Sequence, residues 1–226
     1  MNILLTNDDG YNSEGINLLV KLIGKYGDVT IVAPKEAMSG KGVSIIYGRP
    51  VEVKKVSDNV FVMEGTPADC TAFGLSSLDK KFDLVVSGIN NGFNLSWDTM
   101  YSGTIGACLQ ALTYRVPAIA FSTIEGNFEI VEKYFDEVME YISSHNLINP
   151  EHVISINFPV SGTAKGIKET KLWYRDVDEN TFYVRDVDDK YIALRDIKDE
   201  VVEDVDSDCY AVFHGYISIT KLNKTF

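Results

Sequence analysis

Apolar runs and helical spacing alternate along the first part of the chain. Residues 2–6 and 29–33 each carry a short apolar run, as strands buried on both faces do. The apolar residues between them recur at helical spacing: Ile16, Leu19, Val20 and Ile23. Ser13, a residue type that caps helices, precedes them. This order predicts a parallel β-α-β unit with a right-handed crossover.

The alternation continues to about residue 160. Further strands are predicted over residues 43–47, 51–56, 60–64, 82–87, 118–122 and 153–157. Helices are predicted to begin at Thr66-Pro67 and to cover residues 102–114 and 128–143. Strands that alternate with helices indicate an α/β fold with a doubly wound, mostly parallel, Rossmann-like sheet. We expect residues 1–160 to form this α/β catalytic core.

The pattern changes after residue 160, where strand-like segments dominate. They cover residues 171–174, 181–184, 191–194 and 210–220. We therefore predict a C-terminal β-rich extension over residues 161–226, with a role in oligomer contacts.

Composition narrows the function classes. No stretch approaches the roughly 20 apolar residues of a membrane span, and the N-terminus has no signal-peptide pattern. A net charge of −12 argues against binding to polymeric nucleic acid. Three widely spaced cysteines fit a reducing compartment. We expect a cytoplasmic protein with no membrane and no nucleic-acid partner.

Oxygen-bearing side chains follow three of the predicted strands. Asp8 and Asp9 come directly after the first strand, Ser39 follows the second, and Asn90 follows the strand over residues 82–87. Ligands of doubly wound sheets bind at the carboxyl ends of the strands. A divalent cation would turn the repulsion between the two carboxylates into attraction, and an all-oxygen donor set suits Mg²⁺ or Mn²⁺. The alternative for the aspartates is a simple Asp-Gly turn, and for Asn90 a turn residue.

Residues suited to binding an anion lie near these donors. Ser102, Gly103 and Thr104 begin a predicted helix, and a helix N-terminus presents free amides to a phosphate. Asn94 is a further amide, and Gly40 leaves room for a ligand beside Ser39. The alternative is that Ser102 is an ordinary helix cap.

Several other chemistries lack their motifs. The chain has no Cys-x5-Arg loop, no Asp-x-Asp nucleophile motif, no Gly-x-Gly-x-x-Gly after the first strand and no Walker loop. His145, His152 and His214 are scattered, which is typical of surface or packing residues.

The motifs occur in a recognisable order. They are Asn7-Asp8-Asp9-Gly10, Ser39-Gly40, Gly65-Thr66-Pro67-Ala68-Asp69-Cys70, Ser87-Gly88-Ile89-Asn90, Gly92-x-Asn94, Tyr101-Ser102-Gly103-Thr104 and Gly215-Tyr216-Ile217-Ser218-Ile219-Thr220. In order and spacing the chain resembles the SurE family, the stationary-phase survival nucleotidases, over nearly its whole length.

The resemblance implies a metal-dependent phosphatase that hydrolyses nucleoside 5′- and 3′-monophosphates and short polyphosphate. It implies one Mg²⁺ or Mn²⁺ per subunit and a homodimer or tetramer. The implied metal ligands are Asp8, Asp9, Ser39 and Asn90. The expected catalytic residues are Asp8, Asp9 and Asn94, and the expected substrate-binding residues are Gly40, Asn94, Ser102, Gly103 and Thr104.

Two other classes of protein remain as alternatives. A receiver-like signalling domain also places an acid pair after its first strand to bind Mg²⁺, but it needs a phosphate-accepting aspartate at the end of a later strand. The strand that ends at Ser87-Gly88-Ile89-Asn90 has none. A non-catalytic nucleotide-binding module would bind nucleotide without turnover.

Overall fold

The computed structural model describes residues 1–174, 182–187, 190–195 and 202–223. The strands are β1 Asn2–Thr6, β2 Asp28–Pro34, β3 Val53–Ser57, β4 Val60–Met63, β5 Leu84–Asn91, β6 Ala118–Thr123, β7 His152–Asn157, β8 Ile167–Thr170, β9 Phe182–Val187, β10 Lys190–Arg195 and β11 Ile217–Asn223. The helices are α1 Glu14–Ile23, α2 Pro67–Ser77, α3 Gly103–Thr113, α4 Phe128–Ser144 and α5 Asp208–Phe213, with a 3-10 helix at Ser96–Met100.

One nine-stranded sheet forms the centre of the molecule. Its strand order is β3-β4-β2-β1-β5-β6-β7-β11-β8. The six strands from β4 to β7 in this order run parallel to one another, and only β3 and β11 introduce antiparallel pairs. The predicted doubly wound, mostly parallel α/β fold is confirmed. The strands β9 and β10 form a separate antiparallel hairpin.

The sheet is covered on both faces, which explains its continuous apolar runs. Successive side chains of β1 point to opposite faces, so Ile3 and Leu5 pack with α1 and α4 while Leu4 packs with α2 and α3. All three are fully buried. Helices on both faces leave the carboxyl edge of the parallel strands open for loops.

Capping residues begin the helices at that same edge. Ser13 accepts a hydrogen bond from the backbone of Ile16, and Ser102 accepts one from Ile105. Thr66 and Asp69 form a reciprocal capping box at the start of α2. The predicted helix starts at all three positions are confirmed.

Three predicted strands are wrong, in whole or in part. Residues 171–174 form no strand beyond an isolated bridge at Lys171, because the backbone of Trp173 donates to the Asp208 carboxylate at 2.9 Å instead of pairing with a strand. Residues 43–47 form a loop, because the backbone of Ile46 donates to the Asp69 carboxylate at 3.2 Å instead of pairing with a strand. Asp208–Phe213 is the helix α5, capped by Ser207, and the strand β11 begins only at Ile217. Short apolar runs of this kind do not by themselves distinguish a helix from a strand.

Two of the strands after residue 160 belong to the central sheet. The strand β11 pairs with β7 on one side and with β8 on the other, so this part of the chain extends the sheet of the first 160 residues. Residue 181, the first of one predicted strand, lies outside the described residues. Among the described residues, no helix is long and apolar enough to cross a membrane.

Candidate active site

The loop after β1 presents two carboxylates at the carboxyl edge of the sheet. Gly10 adopts a positive φ of 98°, which turns the chain. The turn is held by Asn7, whose side-chain amide donates to the Gly10 carbonyl at 2.9 Å and to Ser13 Oγ at 2.7 Å. Asp8 is only 4% exposed, and Asp9 is partly buried. The Asp-Gly turn therefore exists, but the Asn7 side chain stabilises it. The two aspartate carboxylates are not used in the turn.

Thr104 connects the loop after β1 with the carboxyl end of β5. Its hydroxyl donates to Asp8 Oδ1 at 2.5 Å and lies 3.2 Å from Asn90 Oδ1. A hydroxyl carries one proton, so the short contact with Asp8 is the main one. Thr104 is fully buried in the first turn of α3. Two of the predicted metal ligands, Asp8 and Asn90, therefore lie around one hydroxyl.

Asn90 and Asp9 are oriented by backbone groups of the loop after β5. The Asn90 amide nitrogen donates to the Gly92 carbonyl at 2.8 Å, which leaves its Oδ1 directed at Thr104. Asp9 Oδ2 accepts the Asn91 N–H at 3.1 Å. The loops after β1 and β5 thus hold each other in place.

No cationic side chain among the described ion pairs compensates the two carboxylates of this site. Burial raises the pKa of Asp8 to about 6, against the lowering effect of Thr104, and the charge of Asp9 raises it further. Burial also raises the pKa of Asp9. None of the ion pairs among the described residues includes either aspartate. A divalent cation fits this environment, since it would replace the solvation that burial removes.

The donor set is one of hard oxygens. The described residues contain no cluster of three His, Cys, Asp or Glu side chains, so the candidate ligands are two carboxylates and neutral oxygens. Such donors suit Mg²⁺ or Mn²⁺ better than Zn²⁺. The residues present fit the predicted metal.

The loop after β2 reaches the site through its backbone. Met38 N–H donates to the Asp8 carbonyl at 2.7 Å, and Ser39 is the next residue. Ser39 is exposed, and no hydrogen bond joins its side chain to Asp8, Asp9 or Asn90. Gly40 has a positive φ of 73° and open space around it. The structure places both residues beside the site but does not bring the Ser39 hydroxyl into contact with the carboxylates.

The N-terminus of α3 faces Asp8 because of a glycine. A Cβ added to Gly103 would lie 2.8 Å from Asp8 Cβ and 3.0 Å from Asp8 Oδ2. Any larger residue would push the helix away from the carboxylate. Ser102 caps the helix by accepting the Ile105 N–H, and its hydroxyl proton can still be donated to a ligand. The Thr104 N–H also interacts with the Asp8 carboxylate and lowers its pKa. The backbone amides at the start of α3 are the groups best placed to bind an anion.

Asn94 lies inside the protein, close behind the loop after β5. It is 4% exposed, and its amide nitrogen donates to Ser122 Oγ at 2.7 Å. Its backbone exchanges two hydrogen bonds with the Asn157 side chain, at 2.9 and 3.0 Å. These contacts anchor the loop, whereas substrate contact by Asn94 stays a prediction.

Sequence reasoning missed the partners of the predicted residues. Asn157 ends the strand β7, and Ser122 lies near the end of β6. Polar residues at the carboxyl ends of apolar strands were the signal that marks both. Thr104 was predicted as a phosphate contact, and its contact with Asp8 and Asn90 was not anticipated.

These features define a class of protein: a doubly wound α/β fold whose parallel strands end in an oxygen-rich site faced by a helix N-terminus. Residues 3–179 match the family described as "Survival protein SurE". The chain belongs to the SurE family, as its motifs predicted.

Similar proteins extend the match over nearly the whole chain. A protein of Acinetobacter baylyi named 5'-nucleotidase SurE is 35% identical over 237 residues, covering 98% of this chain and 93% of that protein. One of the same name from Clostridium beijerinckii is 32% identical and covers 100% of this chain and 94% of that protein. The crystal structure of the SurE protein from Aquifex aeolicus has a TM-score of 0.85 at 32% identity, covering 100% of this chain and 94% of the other.

Proposed function

We propose that the protein is a divalent-metal-dependent phosphomonoesterase that hydrolyses nucleoside 5′-monophosphates, and also 3′-monophosphates and short polyphosphate. One observation carries the proposal: the Thr104 hydroxyl gathers Asp8 Oδ1 and Asn90 Oδ1 at the N-terminus of α3. A cation site and an anion site then lie side by side. Nucleotidase activity agrees with the names of the curated relatives.

Asp8, Asp9, Ser39 and Asn90 would hold one ion per subunit. When bound, the ion would polarise a phosphoryl oxygen and lower the pKa of a water molecule. The Ser39 hydroxyl would turn toward Asp8 to join the other ligands. The short link from Met38 N–H to the Asp8 carbonyl supports this, because it keeps the neighbouring serine close.

The other residues bind and orient the substrate. The first N–H groups of α3, at Gly103 and Thr104, would donate hydrogen bonds to the phosphate oxygens from a preorganised position. Thr104 fixes the orientation of the Asp8 carboxylate by donating to Oδ1. The Asn91 N–H orients the Asp9 carboxylate by donating to Oδ2, and the proton of the attacking water would go to a carboxylate oxygen of Asp8 or Asp9.

The test is a panel of phosphate-release assays. Nucleoside 5′- and 3′-monophosphates and short polyphosphate are each incubated with Mg²⁺, with Mn²⁺ and with chelator. We expect steady release from the monophosphates with metal and loss of release with chelator. Nucleotide binding without release would favour the non-catalytic module instead, and a stable phosphoprotein after a small phosphodonor would favour the receiver-like domain.

Several accompanying proposals need separate measurements. They are the homodimer or tetramer, the cytoplasmic location, and the division into a catalytic core of residues 1–160 and an extension of residues 161–226. Light scattering would determine the oligomeric state, and limited proteolysis would test the boundary near residue 160.

A further inference from the structure

The loop over residues 42–47 is fixed to the N-termini of α2 and α3 by alternate residues. Gly42 N–H donates to the Tyr101 carbonyl at 2.8 Å, the Ser44 carbonyl accepts the Thr66 hydroxyl at 2.6 Å, and Ile46 N–H donates to the Asp69 carboxylate. All three bonds use the backbone of the loop. The loop therefore crosses the two helix N-termini at the carboxyl edge of the sheet, next to the candidate active site.

Gly106 permits this close docking. A Cβ at this position in α3 would lie 2.1 Å from the Gly42 carbonyl oxygen, so only a glycine allows the loop backbone to rest on the helix. The contact lies one turn beyond the proposed phosphate-binding amides. The position of the loop relative to that site is thus set by packing.

The other residues of the loop present an apolar strip to solvent. Val43 is 39% exposed, Ile45 54% and Tyr47 91%. We call these three residues the rim strip. Met100 and Tyr101, at 63% and 47% exposure, lie across the Gly42 contact and continue the apolar surface. Exposed apolar surface of this kind, beside a polar site, is typical of a ligand-binding face.

The segment that carries the rim strip has no acidic residue of its own, and the Asp69 carboxylate of α2 binds its backbone at Ile46. The protein has a net charge of −12, yet no acidic residue occurs between Glu36 and Glu52. That stretch carries two cations, Lys41 and Arg49, on either side of the rim strip. A segment that carries an aromatic ring and two cations suits a flat, electron-rich group attached to an anion.

We propose that the rim strip is the nucleobase site of the enzyme, with Tyr47 stacking on the base of a nucleoside monophosphate whose phosphate lies at the N-terminus of α3. This inference rests on the proposed function and adds the residues that select a nucleotide over other phosphomonoesters. Stacking on a tyrosine ring accepts every base, so the site favours nucleosides as a class.

The experiment compares two substrates that share the phosphate and the sugar. The kcat/KM for a purine nucleoside 5′-monophosphate is divided by that for ribose 5-phosphate, which has no base. We expect the wild-type ratio to exceed one, and Tyr47→Ala to lower it roughly fivefold to tenfold through KM. Tyr47→Phe retains the ring and should retain the ratio.

A matched control comes from the opposite edge of the sheet. Tyr114 is also an exposed tyrosine, at 41%, and it follows the C-terminal end of α3. Tyr114→Ala should leave the ratio unchanged. An unchanged ratio in Tyr47→Ala would overturn the nucleobase site while leaving the phosphatase intact. An equal loss of kcat/KM on both substrates in Tyr47→Ala, together with a smaller oligomer by light scattering, would also overturn the nucleobase site. That result would assign the rim strip to a contact between subunits. If the wild type releases phosphate from neither substrate, the proposed function itself fails.

Discussion

Asp8 at the carboxyl edge of the sheet and Asp136 on the outer surface of α4 are the same residue type in opposite situations. The buried Asp8 receives a neutral hydroxyl from Thr104 and faces a second carboxylate, and its pKa is raised to about 6. The exposed Asp136 receives Lys25 Nζ at 2.8 Å and Tyr26 Oη at 3.0 Å, and its pKa is lowered. The protein supplies a cation to the Asp136 carboxylate and none to the Asp8 carboxylate. An uncompensated buried acid is therefore the better mark of a functional site.

The largest difference between the two regions should be in activity. Asp8→Asn keeps the shape of the side chain but removes its charge, so we expect phosphate release to fall by about a hundredfold or more. Asp136→Asn should leave it unchanged. Activity is measured as kcat/KM for a nucleoside monophosphate in Mn²⁺, with Mn²⁺ affinity measured separately by calorimetry. Near-normal turnover and Mn²⁺ affinity in Asp8→Asn would remove Asp8 from the site.

The second difference concerns pH and stability without metal. The pKa of Asp8 rises from 3.8 in the unfolded chain to about 6 in the folded protein, so the folded state holds the proton more tightly. The free energy of unfolding should then fall as pH rises from about 4 to 6, by up to about 3 kcal/mol from this group. Urea unfolding in chelator measures it, with Asp8→Asn as the reference that lacks the titration. Parallel pH curves for the two proteins would contradict the buried, uncompensated carboxylate.

The third prediction compares Gly103, where α3 lies close to Asp8, with Gly162, which has open space around it. Gly103→Ala places a methyl group 2.8 Å from Asp8 Cβ, so α3 or the loop after β1 must shift. We expect a loss of about 1–3 kcal/mol in unfolding free energy together with weaker Mn²⁺ binding. Gly162→Ala is the control, because nothing lies within 4 Å of its added Cβ. Equal behaviour of the two variants would show that the approach of α3 to Asp8 is not tight.

The smallest effect should come from breaking the surface ion pair between Lys25 and Asp136. Lys25 and Asp136 are both more than half exposed, and an exposed ion pair contributes little to stability. Lys25→Ala should leave both the thermal midpoint and phosphate release close to wild type. A marked drop in the midpoint would mean that the surface between α1 and α4 carries more of the stability than its exposure suggests.

The parallel core could be predicted from sequence because its strands are buried on both faces. The run over residues 2–6 is followed by the helical spacing of Ile16, Leu19 and Ile23 and by a second apolar run, and this order predicts the β-α-β unit that the structure contains. The apolar run at residues 209–213 is equally short and lacks such a context, and with the cap at Ser207 it forms a helix. A short run therefore identifies an element only together with the pattern around it.

The candidate site divides in the same way. Asp8 and Asn90 could be predicted to converge, because parallel strands end at one edge of a sheet. The cross-contacts could not, since Thr104 to Asp8 and Asn94 to Asn157 join residues far apart in sequence. Such distances depend on how α3 and β7 pack, which no local pattern encodes. The functional assignment of these residues stays a prediction, while the SurE family and the fold are confirmed.

The loop that rests on Gly106 has a consequence for how such an enzyme changes over time. It is held by main-chain atoms of Gly42, Ser44 and Ile46, which alternate with the three residues of the rim strip. Residues 43, 45 and 47 can thus be substituted one at a time with little effect on the candidate active site. Evolution, or a laboratory library, can therefore change which substrates bind by replacing these residues while the residues that carry out hydrolysis stay the same.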